Sequence, residues 1–307
     1  MEWVKVFAPA TVGNIGPGFD VLGLAVKGLG DIIEARKIKF GVKISSIESE
    51  TKLSKDPKKN TAGIAASEVL KLLNIKSGVE LKLKKGMPSA SGLGSSAASA
   101  AASAFATNYL YGNELNKEDL ILPATEAEEF VSGGFFADNT APSLLGGATL
   151  TRSCEPLDVT RIGFIDKLKI ILVIPNLMIL TKEARRILPK KIPMKNFVAN
   201  MANACLISAA FAKNDYDLFA RSLNDVVIEP VRSRLIKGFY KVKENALSAG
   251  ADGMTISGAG PAVFAITNNM KKAKSIEDAM VNTFKKVGVK SASLITEIDP
   301  EGTKLIE

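Results

Sequence analysis

The chain has no histidine among its 307 residues, only two cysteines and a single tryptophan. Without imidazole there is no His-dependent nucleophilic triad, no His general base and no His-ligated zinc. Any acid–base work falls to Asp, Glu, Lys or Tyr, or is not needed. Cys154 and Cys205 lie far apart and fit no metal spacing, which predicts buried thiols in a reducing compartment. Long apolar runs are missing too. The least polar stretch, the Ala/Ser segment after Ser95, is too small-sided and Ser-broken for a membrane span. Met1-Glu2-Trp3 leads straight into a strand-like segment with no secretory signal, so the expected location is the cytoplasm. Two common phosphate loops are absent as well. There is no Gly-Lys dipeptide for a G-x-x-x-x-G-K-[ST] loop, and no G-x-G-x-x-G fingerprint.

The length suggests one large or two modest domains, and the hydrophobic fraction of 46% is enough for a real core. The net charge of +8 admits a nucleic-acid surface or a solvated, Lys-rich exterior around an anion site. The lysines are dispersed, as in Lys52, Lys55, Lys58 and Lys59 or Lys82, Lys84 and Lys85, and no aromatic pattern accompanies them. This favours the solvated exterior.

Apolar spacing predicts strands over 3–7, 31–40, 41–47, 79–83 and 169–175, with 31–40 and 41–47 read as antiparallel. It predicts helices over 60–73, 117–130, 197–212 and 237–249. Asn116 is expected to cap the 117–130 helix and Pro123 to kink it, while Thr181 is expected to cap a helix over 182–188. Residues 138–147 read as irregular. Strands interleaved with helices argue for an α+β or α/β chain, with the polar stretch 152–166 as the boundary.

The most informative stretch is Met87-Pro88-Ser89-Ala90-Ser91-Gly92-Leu93-Gly94-Ser95-Ser96-Ala97-Ala98. A Gly/Ser loop opens directly into an Ala-rich helix former. Unpaired N–H groups and a positive dipole end then face an anion, with a phosphate chain as the natural guest. The bland alternative is a tight turn before a closely packed helix.

The pattern P-x-x-x-G-L-G-S-S-A-A resembles the ATP loop of the GHMP kinases. Two further motifs follow that family's order: Ala8-Pro9-Ala10-Thr11-Val12-Gly13-Asn14-Ile15-Gly16-Pro17-Gly18-Phe19-Asp20-Val21-Leu22-Gly23, and Ser257-Gly258-Ala259-Gly260-Pro261-Ala262-Val263-Phe264. The Asn-Ile-Gly-Pro-Gly-Phe-Asp form is similar to members acting on L-homoserine. The resemblance implies a two-domain α+β GHMP kinase fold. Residues 1–153 would be like ribosomal protein S5 domain 2, residues 154–307 ferredoxin-like, and the site would lie in the cleft between them. It implies transfer from ATP, with Mg2+, to the hydroxyl of L-homoserine, no nucleic-acid or membrane partner, and a homodimer.

The resemblance also implies residue roles. Pro88, Ser89, Ala90, Ser91, Gly92, Leu93, Gly94, Ser95 and Ser96 would cradle ATP, with Asn60 near the adenine. Glu128, selected from Glu126, Glu128 and Glu129 by its spacing before Asp138-Asn139, would bind magnesium with Ser96 or, failing that, Ser95. Asn14, Asp20, Asn139 and Gly258 would contact the amino acid, Asp20 taking its ammonium group. Arg185 and Arg232 would clamp its carboxylate, although Arg186 and Arg234 leave the register open. Thr181 would lie near the transferred phosphate. Asn139 stands where related kinases can hold an Asp base, so transfer is expected to proceed without a dedicated carboxylate base. Phe136 departs from relatives that have His there. Each polar residue has a plainer reading: Asn14, Asp20 and Asn139 as turn residues, Asn60 as a helix cap, the carboxylates and arginines as solvated surface. Two rival functions remain open, a kinase for a mevalonate- or shikimate-like alcohol and an RNA-binding protein.

Overall fold

Strand β7 shows how the chain builds two cores at once. Its apolar run Lys169–Pro175 sends Ile170 and Leu172 to one core and Ile171 and Val173 to the other, so the strand is buried on both faces and reads as continuously apolar. The computed structural model describes residues 2–307. In chain order the elements are β1 (Val4–Gly13), β2 (Leu22–Ile38), β3 (Val42–Glu48), α1 (Thr61–Leu72), β4 (Gly78–Lys84), α2 (Ser95–Leu110), α3 (Ile121–Ser132), α4 (Thr140–Leu145), β5 (Ala148–Cys154), β6 (Leu157–Gly163), β7, α5 (Thr181–Arg186), α6 (Met194–Lys213), α7 (Tyr216–Ser222), α8 (Glu229–Arg232), α9 (Phe239–Ser248), β8 (Gly253–Ile256), β9 (Val263–Thr267), α10 (Met270–Lys286), β10 (Ser291–Thr296) and β11 (Lys304–Leu305).

Seven strands form the first sheet, in the order β11-β1-β2-β4-β3, with β5 pairing β2 and β6 pairing β5. Helix α2 packs on this sheet and against α1, α3 and α4. Its Ala and Ser side chains are small enough to let it be surrounded, which is why it shows no single apolar stripe. The second sheet has the order β10-β7-β9-β8. On it lie α9 and α10, the latter through Ala273, Ile276, Met280 and Phe284 at helical spacing. Ile207, Phe211 and Phe219 of α6 and α7 join the first core, together with Ile170, Leu172 and Phe264.

Several local expectations are corrected. β3 does not pair with β2; it lies parallel to β4, which is inserted between them. Strand-to-strand connection through α1 favours that parallel arrangement. A boundary at 153/154 would cut β5, because β5 and β6 form a hairpin on the first sheet and the chain leaves it after Gly163. The chain end then returns, with Val6 opposite Leu305. Pro123 sits in the first turn of α3, where no amide donor is required, so no break occurs there. Asn116 instead accepts from Asp119 N in the preceding turn. Thr181 is the first residue of α5 and makes no capping bond. Residues 140–145, expected to be irregular, form α4. The two cysteines are free, but Cys154 is only partly buried and Cys205 is exposed.

Candidate active site

Between the two sheets lies a cleft of about 400 Å³. Its wall takes residues from the β1–β2 loop, the start of α1, the loop into α2, α3, the α3–α4 connection, α5, α8 and the β8–β9 loop.

Gly94 precedes α2 in the left-handed conformation, with φ 65°, and no side chain caps the helix. The first-turn amides are left for an anion. Gly92 meets the β8–β9 loop so closely that a Cβ there would lie 2.5 Å from Ser257 O. Ser257 Oγ donates to Gly92 O at 2.7 Å, and Ala262 N donates to Ser91 O at 2.9 Å. The third motif therefore buttresses the first. Ser89, Ala90, Ser91, Gly92, Gly94, Ser95 and Ser96 line the cleft, while Pro88 and Leu93 do not. Leu93 is fully buried and anchors the loop in the core.

Glu128 is brought to the cleft, whereas Glu129 is exposed. Glu128 Oε1 is sealed from solvent and has no hydrogen-bond partner. Burial pushes its carboxyl up to about 7, with the Ser96 hydroxyl and the Lys85 charge pulling the other way. Ser95 Oγ is also buried and unpartnered.

Elsewhere on the cleft wall, Arg185 Nη1 and Nη2 each donate to Asp20 at 2.9 Å, a fork between residues 165 apart in sequence. The Arg185 guanidinium stands 4.2 Å from the Phe136 ring centroid and 5.4 Å from that of Phe19. Phe136, the departure from the family pattern, thus supports the arginine. Arg232 is buried, with its guanidinium 5.0 Å from the Phe19 ring, and donates to Gly258 O at 3.0 Å. It has no carboxylate partner among the described residues. Burial, then the nearby Arg185 charge, pull it down to about 10. Arg185 and Arg232 line the cleft, whereas Arg186 and Arg234 are exposed and do not.

Asn14 and Asn60 are more committed than their sequence readings suggest. Asn14 accepts from Asp20 N at 3.0 Å and donates to Gly258 O at 2.9 Å, closing the β1–β2 loop. Asn60 caps α1 through Ala62 N at 3.0 Å and donates to Ser54 O at 2.9 Å. Both still line the cleft, as do Asn139, Thr181 and Gly258.

Two cleft residues escape the sequence reading. Lys85, grouped there with surface lysines, is buried in an ion pair with Asp31 and donates to Ser95 O at 2.6 Å and Ser99 Oγ at 2.7 Å. The alternation along β4 holds a signal, because Lys82 and Lys84 face solvent and the next residue must leave that row. Asp138 is 6% exposed. Its carboxyl is pushed up to about 7 by burial and then by the nearby Asp20 charge. Nothing in the Asp-Asn dipeptide distinguishes this group from a turn former.

The family model described as the GHMP kinases N terminal domain matches residues 60–147, and that of the GHMP kinases C terminal matches residues 207–286. The homoserine kinase of Chloroherpeton thalassium is 40% identical over 319 residues, covering 100% of both chains. That of Arabidopsis thaliana is 46% identical over 313 residues, covering 99% of this chain and 84% of its own. The crystal structure of homoserine kinase from Cytophaga hutchinsonii superposes with a TM-score of 0.95 at 42% identity, covering 100% of this chain and 98% of that one.

Proposed function

The chain belongs to the GHMP kinases, and from that membership we infer that it transfers the γ-phosphoryl group of ATP to the hydroxyl of L-homoserine. The products are ADP and O-phospho-L-homoserine, a step toward threonine. One observation carries the reading of the acceptor: Asp20 and Arg185, paired with each other, share the cleft of the phosphate loop with the carboxylate-free Arg232. A zwitterionic amino acid replaces both halves of such a pair, its ammonium on Asp20 and its carboxylate on Arg185 and Arg232.

In this account the homoserine oxygen attacks the γ-phosphorus as the bond to the β–γ bridging oxygen breaks, and ADP leaves with that oxygen. The amides of residues 92–96 and the α2 dipole hold the phosphates, while Lys85, paired with Asp31, braces the first turn of α2 through Ser95 O and Ser99 Oγ. Asn139 and Thr181 stand at the reacting hydroxyl, Asn14 and Gly258 at the substrate edge, and Asn60 toward the adenine. The unpartnered Glu128 oxygen, with the Ser96 hydroxyl, fits a magnesium ion, which takes oxygen ligands and keeps water. When bound, the ion neutralises phosphate charge. No trio of acidic or thiol side chains that would form an all-protein metal site occurs among the described residues.

Asn139 is an amide and takes no proton, so the hydroxyl proton leaves with the phosphate ester rather than through a dedicated base. Asp138→Asn then keeps kcat within about tenfold of wild type, whereas loss of a true base costs roughly 10²–10⁴-fold. Steady-state kinetics separate the two. The same substitution has a stability signature. The folded carboxyl titrates near 7, the unfolded one near its ordinary value of about 3.9. The folded state binds more protons in that window, so this group's contribution is lost as pH rises through it. Asp138→Asn flattens that fall in urea midpoints measured at pH 5 and 8.

A coupled ADP-release assay compares L-homoserine with mevalonate, shikimate, L-threonine and L-serine. Homoserine-dependent release is expected. Release with mevalonate or shikimate instead, which carry a carboxylate but no ammonium, keeps the kinase and removes the role of Asp20. Release with L-threonine or L-serine instead keeps the amino-acid contacts and changes the alcohol. Silence with all five returns attention to RNA binding or an untested substrate. No described helix is long and apolar enough to cross a membrane, and cytoplasmic location is part of the proposal. So is a homodimer. The stretch 196–212 of α6 carries no charge in a chain of +8, and Phe197, Val198 and Met201 are exposed there. Phe197→Glu is expected to shift sedimentation from dimer to monomer.

A further inference from the structure

Asn139 does not set its own orientation. Its Oδ1 accepts from Thr11 Oγ1 at 2.8 Å, and its Nδ2 donates to Asp138 Oδ2 at 3.2 Å. An amide is nearly symmetric in shape but not in chemistry, since a flip exchanges two donors for an acceptor. The nitrogen side faces Asp138, whose Oδ2 accepts from it. The oxygen side then faces Thr11, whose hydroxyl donates. The second Nδ2 hydrogen is the group left over for the cleft.

Thr11 is fully buried within β1 and is not part of the cleft wall. It is nevertheless tied to both halves of the site. Its backbone N donates to Leu93 O of the phosphate loop at 3.0 Å while its side chain holds Asn139. Space around the pair is shaped to fit. A Cβ on Gly94 would come 2.0 Å from Thr11 Oγ1, and one on Gly13 would come 2.6 Å from Asp138 Oδ2 and 2.7 Å from Asn139 Nδ2.

We propose that Thr11 is a positioning residue that touches neither substrate, fixes the Asn139 amide with an N–H toward the reacting hydroxyl, and links that amide to the phosphate loop. The proposal rests on the reading of Asn139 as the residue at the acceptor hydroxyl. An N–H donated to one lone pair of the hydroxyl oxygen leaves the other free to attack. A flipped amide would present its carbonyl instead, hold the hydroxyl by its proton, and turn the attacking lone pairs elsewhere.

Thr11→Val removes the hydroxyl and keeps the shape, while Thr11→Ser keeps the hydroxyl. The valine variant is expected to lose about tenfold or more in kcat, a barrier change of one hydrogen bond, with the KM values for ATP and homoserine little changed. The serine variant is expected to recover most of kcat. Equal rates for Thr11→Val and wild type would overturn the proposal, as would equal losses in the two variants, which would mark a packing effect. A second readout does not need turnover. The Asn139 side-chain amide resonances, identified by their loss in Asn139→Asp, should shift and exchange faster in Thr11→Val and not in Thr11→Ser. If wild type leaves homoserine unphosphorylated but the amide responds, the functional reading fails and the Thr11 contact stands. An amide unmoved in Thr11→Val sinks the Thr11 proposal alone.

Discussion

Replacing Asp20 by Asn raises the KM for L-homoserine by roughly 10- to 100-fold and leaves the KM for ATP nearly unchanged. The magnitude is that of one charge-assisted hydrogen bond, about 1.5–3 kcal/mol. Asn keeps the size of the side chain and its place at the end of the loop closed by Asn14, so the loss is of charge rather than shape. The effect is specific to the substrate's ammonium group. The wild-type preference for homoserine over the same molecule without its amino group, 4-hydroxybutanoate, should therefore shrink in the variant. Measuring kcat/KM for both compounds with both proteins isolates that coupling. An unchanged homoserine KM in Asp20→Asn would show that Asp20 serves only as the partner of Arg185.

Glu128→Gln should lower turnover by about 10²–10³-fold, the scale of removing one group that stabilises transition-state charge, while the fold survives. The neutral amide is close in size and lacks the charge that burial opposes. Burial already holds the Glu128 carboxyl up to about 7, so melting temperature at neutral pH should hold or rise. Lys85 keeps its ion pair with Asp31 and is not left uncompensated. The magnesium concentration for half-maximal rate should also rise. Undiminished turnover at ordinary magnesium would remove Glu128 as the ligand.

Much of the cleft lining is legible in the sequence because its parts are local. The loop from Pro88 to Ser96 and the helix after it are contiguous, and glycine at 92 and 94 signals close backbone approach in the sequence itself. Glu128, Arg185 and Arg232 line one cleft, yet their pairing states are not legible in the sequence. No spacing rule says that Arg185 is already forked on Asp20, or that Phe136 lies against its guanidinium. Lys85 and Asp138 were missed because burial decides their character, and burial is a property of the assembled cleft. The fold errors have a similar origin. Alternation located β3 and β4, but it carries no information on which strand is the neighbour, and β4 separates β3 from β2. β11 is two residues long, too short for a periodic signal.

The most direct test of the central claim is identification of the product. The protein is incubated with ATP, magnesium and L-homoserine and followed by phosphorus NMR. The account predicts a phosphate monoester resonance coupled to the terminal methylene of homoserine, growing in step with ADP. ADP accompanied only by inorganic phosphate, or an ester that forms on mevalonate or shikimate and not on homoserine, would contradict it.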